Sequence, residues 1–424
     1  MVRGVDGVAG GVAVILALEY HRSAARYLVA RGAAASPVTS RFGAALAGNL
    51  APLRLVSRPD PRRAQDDWVR VRPLLSGICG SDLGLLSGRS SPYLSPMVSM
   101  PFVPGHEVVG ELLDDAEGVP RGARVVLDPV LSCAVRDLPA CVWCQTGRES
   151  RCDHVTAGRV SAGLQTGFCG DTGGGWSRML VAHAHQLHPV PDDMSDERAV
   201  LVEPLACAIH SVRRVSVPPG ASVLVVGAGT VGLLTLLALR EFTQAGPVYV
   251  VAKHGHQRER ARQLGATEVF EPSRAARALR RVTGGSLQQP DRGAEFLFGG
   301  ADVAFECTGG SAGLDLALRL VRAAGTVVLS GMPAGPVDLT PVWYRELNLV
   351  GSYASDSGGP GPQPEPGRDR AGDFADAIAL AGQAPLDSYV DAVYPLSRWR
   401  EAIGHAFSAG RLGSVKVAFD PRRD

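Results

Sequence analysis

The chain has 424 residues, 45% hydrophobic and 20% charged, the balance of a globular protein with room for two or three domains. Its net charge of +1 provides no basic field for nucleic acid or an anionic bilayer, so neither partner is expected. Only Lys253 and Lys416 among its basic residues are lysines; the arginines read mostly as a solvated surface.

From the N-terminus, "GVAVILALEY" (Gly11 to Tyr20) is too short to span a bilayer, follows a single arginine and lacks a convincing cleavage site. It reads as a first β-strand of a cytoplasmic protein, and the Gly/Val-rich residues before it as an over-extended start. Between about Val14 and Pro189, short β-branched runs such as "WVRVRP", "ARVVLDPV" and "RMLVAH" alternate with Gly and Pro. That texture predicts many short strands and loops rather than long helices. At Asp196 it changes to "DERAVLVEPLACAIHSVRRV", with the apolar spacing of a helix. From Ala221 strands and helices alternate: "SVLVVGAG", "TVGLLTLLALREF", "VYVVA", "QRERARQLGA", "DVAFECTG", "GLDLALRLVRAAG", "TVVLSGM". This order predicts an α/β fold with a doubly wound parallel sheet. Ser355 to Gly372 is a Gly/Pro-rich loop, followed by a helix-like "DFADAIALAG" and a strand-like "GSVKVAFD".

Three constellations carry chemistry. "GICGSD" and "PGHEVVG" supply Cys79, His106 and Glu107, residue types that zinc accepts, at a spacing suited to a site assembled across a folded domain. Cys133, Cys141, Cys144 and Cys152 form a second group; a Cys-x-x-Cys pair in a chain without an export signal favours metal over disulfides. Finally, "VLVVGAGTVGLL" sets Gly227, Ala228, Gly229, Thr230, Val231 and Gly232 between a strand and a helix, a dinucleotide-binding motif in its proper context. The next strand should end in an acid if the ligand is NAD, but Ala252 and Lys253 stand there, with Arg258 close behind. NADP is therefore favoured over NAD; the alternative is that Lys253 simply faces solvent. Cys307 and Thr308, at a later strand end, belong beside the cofactor without doing chemistry.

Taken in order, "GICGSD", "PGHEVVG", the cysteine group, "EPLACAIH", "GAGTVG" and "GSVKVAF" resemble the zinc-dependent medium-chain dehydrogenase/reductase family of alcohol, sorbitol and threonine dehydrogenases. The resemblance implies a GroES-like β-rich catalytic domain (1–198), a Rossmann domain (199–356) and a C-terminal return to the catalytic domain (357–424). It implies that Cys79 and His106 bind a catalytic zinc, and that Glu107 is a ligand in some members and a partner of the ligands in others. Glu203, in "VEPLA", falls where alcohol dehydrogenases have a second cysteine and polyol dehydrogenases a glutamate. With these groups the zinc keeps an open position, and its Lewis acidity favours loss of an alcohol proton while hydride passes to the nicotinamide.

Ser81 matches the family's proton-relay hydroxyl, whereas the histidine that follows it in some members would fall near Gly84 and is absent. In the cysteine group the family's first position is taken by Leu138, so a longer loop would have to bring Cys133 to a structural zinc. A three-cysteine site, a lost zinc or a redox thiol pair are the alternatives. His183, His185 and His188 read as surface residues of a strand, and Trp176 and Tyr93 as pocket lining or core. The expected activity is hydride transfer between a small secondary alcohol, polyol or amino alcohol and NAD(P), in a homo-oligomer. The rivals are a zinc-free quinone or enoyl reductase and a catalytically inactive cofactor-binding regulatory protein.

Overall fold

The computed structural model describes residues 14–35, 50–333, 335–357 and 372–423. The Gly/Val-rich start and most of the Gly/Pro-rich loop lie outside the described residues. Strand β1 (Val14–Tyr20) pairs antiparallel along its length with β2 (Leu53–Pro59). Between them lies helix α1 (Ala24–Ala35), which the strand-and-loop texture did not anticipate. Its sequence, AARYLVARGAAA, is rich in the strongest helix formers, and that local preference wins over the regional composition.

The β-rich sheet is organised around β3 (Trp68–Gly77). After it come α2 (Gly80–Leu86), β4 (Val108–Leu112), β5 (Arg124–Leu127), β6 (Leu180–His183) and β7 (Leu187–Pro189). With β16 (Val390–Tyr394) and β17 (Lys416–Phe419) arriving from late in the chain, the sheet runs β16-β17-β3-β4-β5-β7, with β6 on the first half of β3. Pro73 has no N–H to give to the ladder, and the β3–β4 register shifts between Pro73 and Leu75.

The predicted helix after Asp196 is two helices, α3 (Asp196–Ala199) and α4 (Val202–Arg213). The break puts Pro204 in the first turn of α4, where its missing N–H costs nothing. The parallel part follows as β8 (Val223–Val226), α5 (Thr230–Phe242), β9 (Val248–Val251), α6 (Gly255–Gln263), β10 (Glu268–Phe270) and α7 (Ala275–Thr283). A small hairpin, β11 (Ser286–Gln288) with β12 (Phe296–Phe298), leads to β13 (Ala301–Glu306), α8 (Ser311–Leu320), β14 (Val321–Leu329), α9 (Thr340–Tyr344) and β15 (Asn348–Gly351). The six strands are all parallel in the order β10-β9-β8-β13-β14-β15. That is the doubly wound dinucleotide-binding order, whose switch point lies between β8 and β13.

Alternate residues explain the two-sided cover. Val223, Val225, Val250 and Phe305 enter one buried cluster with Leu205 and Ile209 of α4. Leu224, Val226, Val251 and Ala304 enter another with Leu279 of α7 and Leu318 of α8. Near-continuous apolar strands are what a sheet buried on both faces requires. The chain then returns through α10 (Asp373–Gln383) to β16 (Val390–Tyr394), α11 (Trp399–Leu412) and β17 (Lys416–Phe419), a parallel β–α–β crossover joined antiparallel to β3.

Candidate metal and dinucleotide sites

The sheet order explains how distant residues converge. Cys79 follows the end of β3, His106 and Glu107 immediately precede β4, and Lys416 opens β17, the other neighbour of β3. Cys79 is the N-cap of α2, and its N–H donates to Asp82 Oδ2 at 2.9 Å. His106 is buried; its Nε2 lies 3.4 Å from Ser81 Oγ and its Nδ1 3.7 Å from Asp82 Oδ1. Neither His106 Nδ1 nor Asp82 Oδ1 has a hydrogen-bond partner. Burial opposes a charge on His106, but Asp82, Cys79 and Glu203 together hold its pKa well above the ordinary value. A thiol that can ionise, an imidazole and a carboxyl are a donor set suited to zinc. Asp82, 3.7 Å from Nδ1, stands on the side where ligand histidines commonly have a carboxylate partner.

Glu203 sits in the first turn of α4, buried, with the Cys207 thiol donating to its Oε1 at 3.4 Å. Burial pushes the Glu203 carboxyl up to about 7. Glu107 is placed differently from Cys79 and His106: both of its oxygens are 2.6 Å from Lys416 Nζ, and the pair is all but sealed from solvent. The structure therefore gives Glu107 an ammonium partner, where the sequence counted it among the ligands. At Gly84, the place of the missing relay histidine, a Cβ would meet the flexible end of Met332, Cε at 2.7 Å, which would have to move aside.

The four lobe cysteines come together, Cys133 included. Among the described residues they are the one group of three or more ligand-type side chains whose ligand atoms all lie within 4.8 Å of one another. Cys79, His106 and Glu203 are not drawn in that tightly. Cys133 Sγ is 3.5 Å from Cys152 Sγ, and the Cys141 and His154 amides donate to Cys133 and Cys152 at 3.3 and 3.4 Å. No disulfide joins any of the eight cysteines. A tetrahedral zinc with Zn–S bonds near 2.3 Å sets its sulfurs about 3.8 Å apart, which this cluster fits.

The loop that carries Cys133 is organised by Arg136, a residue without a signal in the sequence. Its fully buried guanidinium donates to the carbonyls of Leu131, Ala157, Val160, Ser161 and Gly163, tying the two ends of the lobe together. Lys416, Asp82 and Cys207 were also missed. For Lys416 a signal existed: a lysine kept in an arginine-rich chain marks a place where a compact ammonium fits and a guanidinium does not.

At the switch point, Gly227 has φ +100°, and a Cβ on it would lie 2.6 Å from Thr308 Cγ2; one on Gly232 would lie 1.9 Å from the Gly227 carbonyl oxygen. Nothing lies within 4 Å of the position a Cβ of Gly229 would take, at the N-cap of α5. Crowding behind and space in front are what a pyrophosphate at a helix N-terminus needs. Ala228 is buried and Val231 half-buried beside it, and the Thr230 hydroxyl is held by the Val415 carbonyl at 3.0 Å. The Thr308 hydroxyl and amide both bond to buried Glu306. Ala252 is buried at the end of β9; Lys253 is exposed, its side chain without a partner among the described residues. Arg258 turns back to the Lys253 carbonyl at 3.0 Å and lies 3.3 Å from Glu271, so its charge is already balanced.

The histidines of the strand do not gather into a site. His183 bonds Asp67 at 2.8 Å, His185 lies 3.9 Å from Glu149, and His188 stacks on Phe374 with burial pushing its pKa down to about 4. Trp176 is core, its indole donating to the Gly77 carbonyl at 3.3 Å, while Tyr93 is 80% exposed. Cys307 is half-buried beside Thr235, with burial raising its thiol pKa to about 12.

Residues 65–192 match the alcohol dehydrogenase GroES-like domain and residues 230–363 the zinc-binding dehydrogenase domain. The chain is 31% identical to a sorbitol dehydrogenase of Arabidopsis thaliana and to an L-idonate 5-dehydrogenase of Vitis vinifera, each time over 67% of this chain and 73% of the relative. A candidate zinc-binding dehydrogenase of Sinorhizobium meliloti, solved with NADP bound, superposes with a TM-score of 0.64 at 26% identity, covering 87% of this chain and 95% of that one.

Proposed function

The chain belongs to the zinc-dependent medium-chain dehydrogenase family, and from that premise we propose that it oxidises a small secondary alcohol or polyol, or reduces the matching carbonyl, with NADP as the preferred cofactor. It is an oxidoreductase of the alcohol and polyol dehydrogenase type. The observation that carries the reading is the convergence of Cys79, His106 and Glu203, which the end of β3, the start of β4 and the first turn of α4 bring together.

In this reading Cys79, His106 and Glu203 hold the catalytic zinc, which when bound supplies Lewis acidity to the substrate oxygen. Asp82 lies beside the His106 ring, and Lys416 is the ion-pair partner of Glu107. The Ser81 hydroxyl, beside His106, receives the alcohol proton and passes it outward. The dinucleotide, when bound, would supply the hydride acceptor, so that alcohol and oxidised cofactor would yield carbonyl, reduced cofactor and one proton. Cys133, Cys141, Cys144 and Cys152 hold a second, structural zinc.

NADP preference rests on buried Ala252 at the acid position and exposed Lys253 beside it. With no carboxylate there, a 2′-phosphate is not repelled, and a charge-assisted bond to Lys253 is worth about 1.5–3 kcal/mol. Steady-state efficiency with both cofactors across an alcohol and polyol panel tests this. NADP should win, Ala252→Asp with Lys253→Ala should reverse the order, and Cys79→Ala should abolish turnover while dinucleotide still binds. Full activity after metal removal would point instead to a zinc-free reductase.

A second copy of the chain is the expected partner. Among the described residues, strand β15 pairs only with β14, and the short helix before it carries exposed Trp343 and Tyr344, with exposed Leu339 just ahead. Such an edge with an apolar flank is suited to pairing with itself. Light scattering should give a dimer or tetramer, and Trp343→Glu should shift it toward monomer.

A further inference from the structure

The chain that leaves β15 runs back along α4 toward Glu203. The Gly351 carbonyl accepts from Arg214 Nε at 2.9 Å, and Ser352 Oγ lies 2.9 Å from Ser211 Oγ, one turn nearer the start of the helix. Ser211 donates in turn to the Cys207 carbonyl, and the Cys207 thiol donates to Glu203. Gly351 and Ser352 thus step along one face of α4 at the spacing of its turns, and Tyr353 comes next in that direction. Between Val202 and Val212, Cys207 is the one residue of α4 that is not buried, so the helix meets open space at this turn. The Tyr353 side borders open space too, with 43% of the residue exposed.

The β-rich part meets Tyr353 there. Its hydroxyl donates to Gln165 Oε1 at 3.3 Å, and Gln165 is buried, its backbone bridged to Val130. This one bond leaves capacity unused on both side chains. Gln165 Nε2 has no partner among the described residues yet keeps contact with open space, and the Tyr353 oxygen accepts no hydrogen bond. Desolvation first, then the charges of Cys207, Glu203 and Asp128, hold the Tyr353 pKa above its ordinary value, as befits a hydroxyl enclosed near Glu203. A free amide donor beside a free phenolic acceptor is complementary to one alcohol hydroxyl, which both accepts and donates.

We propose that Gln165 and Tyr353, one from each part of the chain, form a subsite for a second substrate hydroxyl and so select vicinal diols and polyols over monohydric alcohols. This rests on the dehydrogenase reading above and adds to it. Cys79, His106 and Glu203 serve the reacting carbinol, and the Tyr353–Gln165 pair reads its neighbour. A monohydric alcohol of the same skeleton sets a methylene against the pair, and a site built to bond a hydroxyl rejects an analogue that lacks it. The plain alternative is a strut, in which the bond only fastens the end of β15 to the β-rich part.

Steady-state kinetics of the zinc-loaded protein with 2,3-butanediol and with 2-butanol, in the same cofactor, separate the two roles. Wild type should favour the diol in kcat/KM by at least about tenfold. Tyr353→Phe removes a single oxygen and Gln165→Met the amide. Each should lower the diol-to-alcohol ratio of kcat/KM about tenfold, mainly through KM, with zinc content and thermal midpoint measured alongside to show that the variant is folded. Equal falls for both alcohols, leaving the ratio where it was, make the pair a strut and overturn the proposal. A wild-type ratio near one also overturns it and leaves the alcohol dehydrogenase reading standing. If neither alcohol nor any polyol of the panel is turned over, that reading falls and the proposal with it.

Discussion

Replacing Lys416 by Met removes an ammonium that lies 2.6 Å from both oxygens of Glu107, with side-chain exposures of 3% and 1% for the two partners. Breaking a buried pair by deleting one member leaves the other charge in a low dielectric, at a cost of about 3–5 kcal/mol. Both partners are almost sealed from solvent, so the expected loss lies within that range. A second substitution, Glu107→Gln, takes away the stranded charge, so the double variant should recover most of the loss. The coupling from the full cycle should be at least about 2 kcal/mol. Lys416→Arg keeps the charge but brings a wider head into a closed site, and should fall between wild type and Lys416→Met. The assay is urea unfolding of the metal-loaded protein followed by tryptophan fluorescence, with zinc counted in each variant before unfolding. A Lys416→Met protein within about 1 kcal/mol of wild type, or a double variant no better than the single, would refute the reasoning. Glu107 would then be answering to the metal, not to the lysine.

Cys133→Ser should lower bound zinc from about two to about one per chain and reduce thermal stability, with the metal measured by emission spectroscopy; an unchanged count excludes Cys133 as an essential ligand. Gly232→Ala should abolish dinucleotide binding in a titration while the zinc content is kept, because the new Cβ would collide with the Gly227 carbonyl at 1.9 Å. Hydrogen bonds from Arg70 hold the Asp114 carboxyl down to about 2, so its contribution to stability is full above about pH 4 and is lost as pH falls through about 2. Because Arg70 is 44% exposed, the effect is discounted for solvent screening to about 1 kcal/mol. Asp114→Asn should show that loss at pH 6, and no difference from wild type near pH 2, in urea titrations at the two pH values.

How much of this was legible before the fold depends on how local each signal is. The strand–turn–helix around Gly227, Gly229 and Gly232 is a largely local instruction: Gly232 packs on the Gly227 carbonyl, and only the Thr308 contact of Gly227 comes from a distant segment. Alternating apolar strands and helices between Ala221 and Gly351 likewise implied the parallel sheet, because a strand buried on both faces leaves no other pattern. Cys79, His106 and Glu203 were legible as residue types in motifs. Local preference alone explains the surprise of α1, whose alanines and arginines were read through the loop-rich texture around them.

What only the tertiary structure decided are the pairings between distant segments. Glu107 could be read as a ligand until β17 set Lys416 beside it, 309 residues later in the chain. Cys133 could be read as stranded, five residues from the place the motif expects, until Arg136 drew five carbonyls around itself and folded the longer loop inward. Arg258 could be read as a cofactor contact by sequence proximity, yet the fold sets it against the Lys253 carbonyl and Glu271. A sequence fixes which charges and donors exist and where short-range geometry forces a turn. Which of them neutralise one another is settled by burial, since an ion leaves water only where the fold supplies it with a partner.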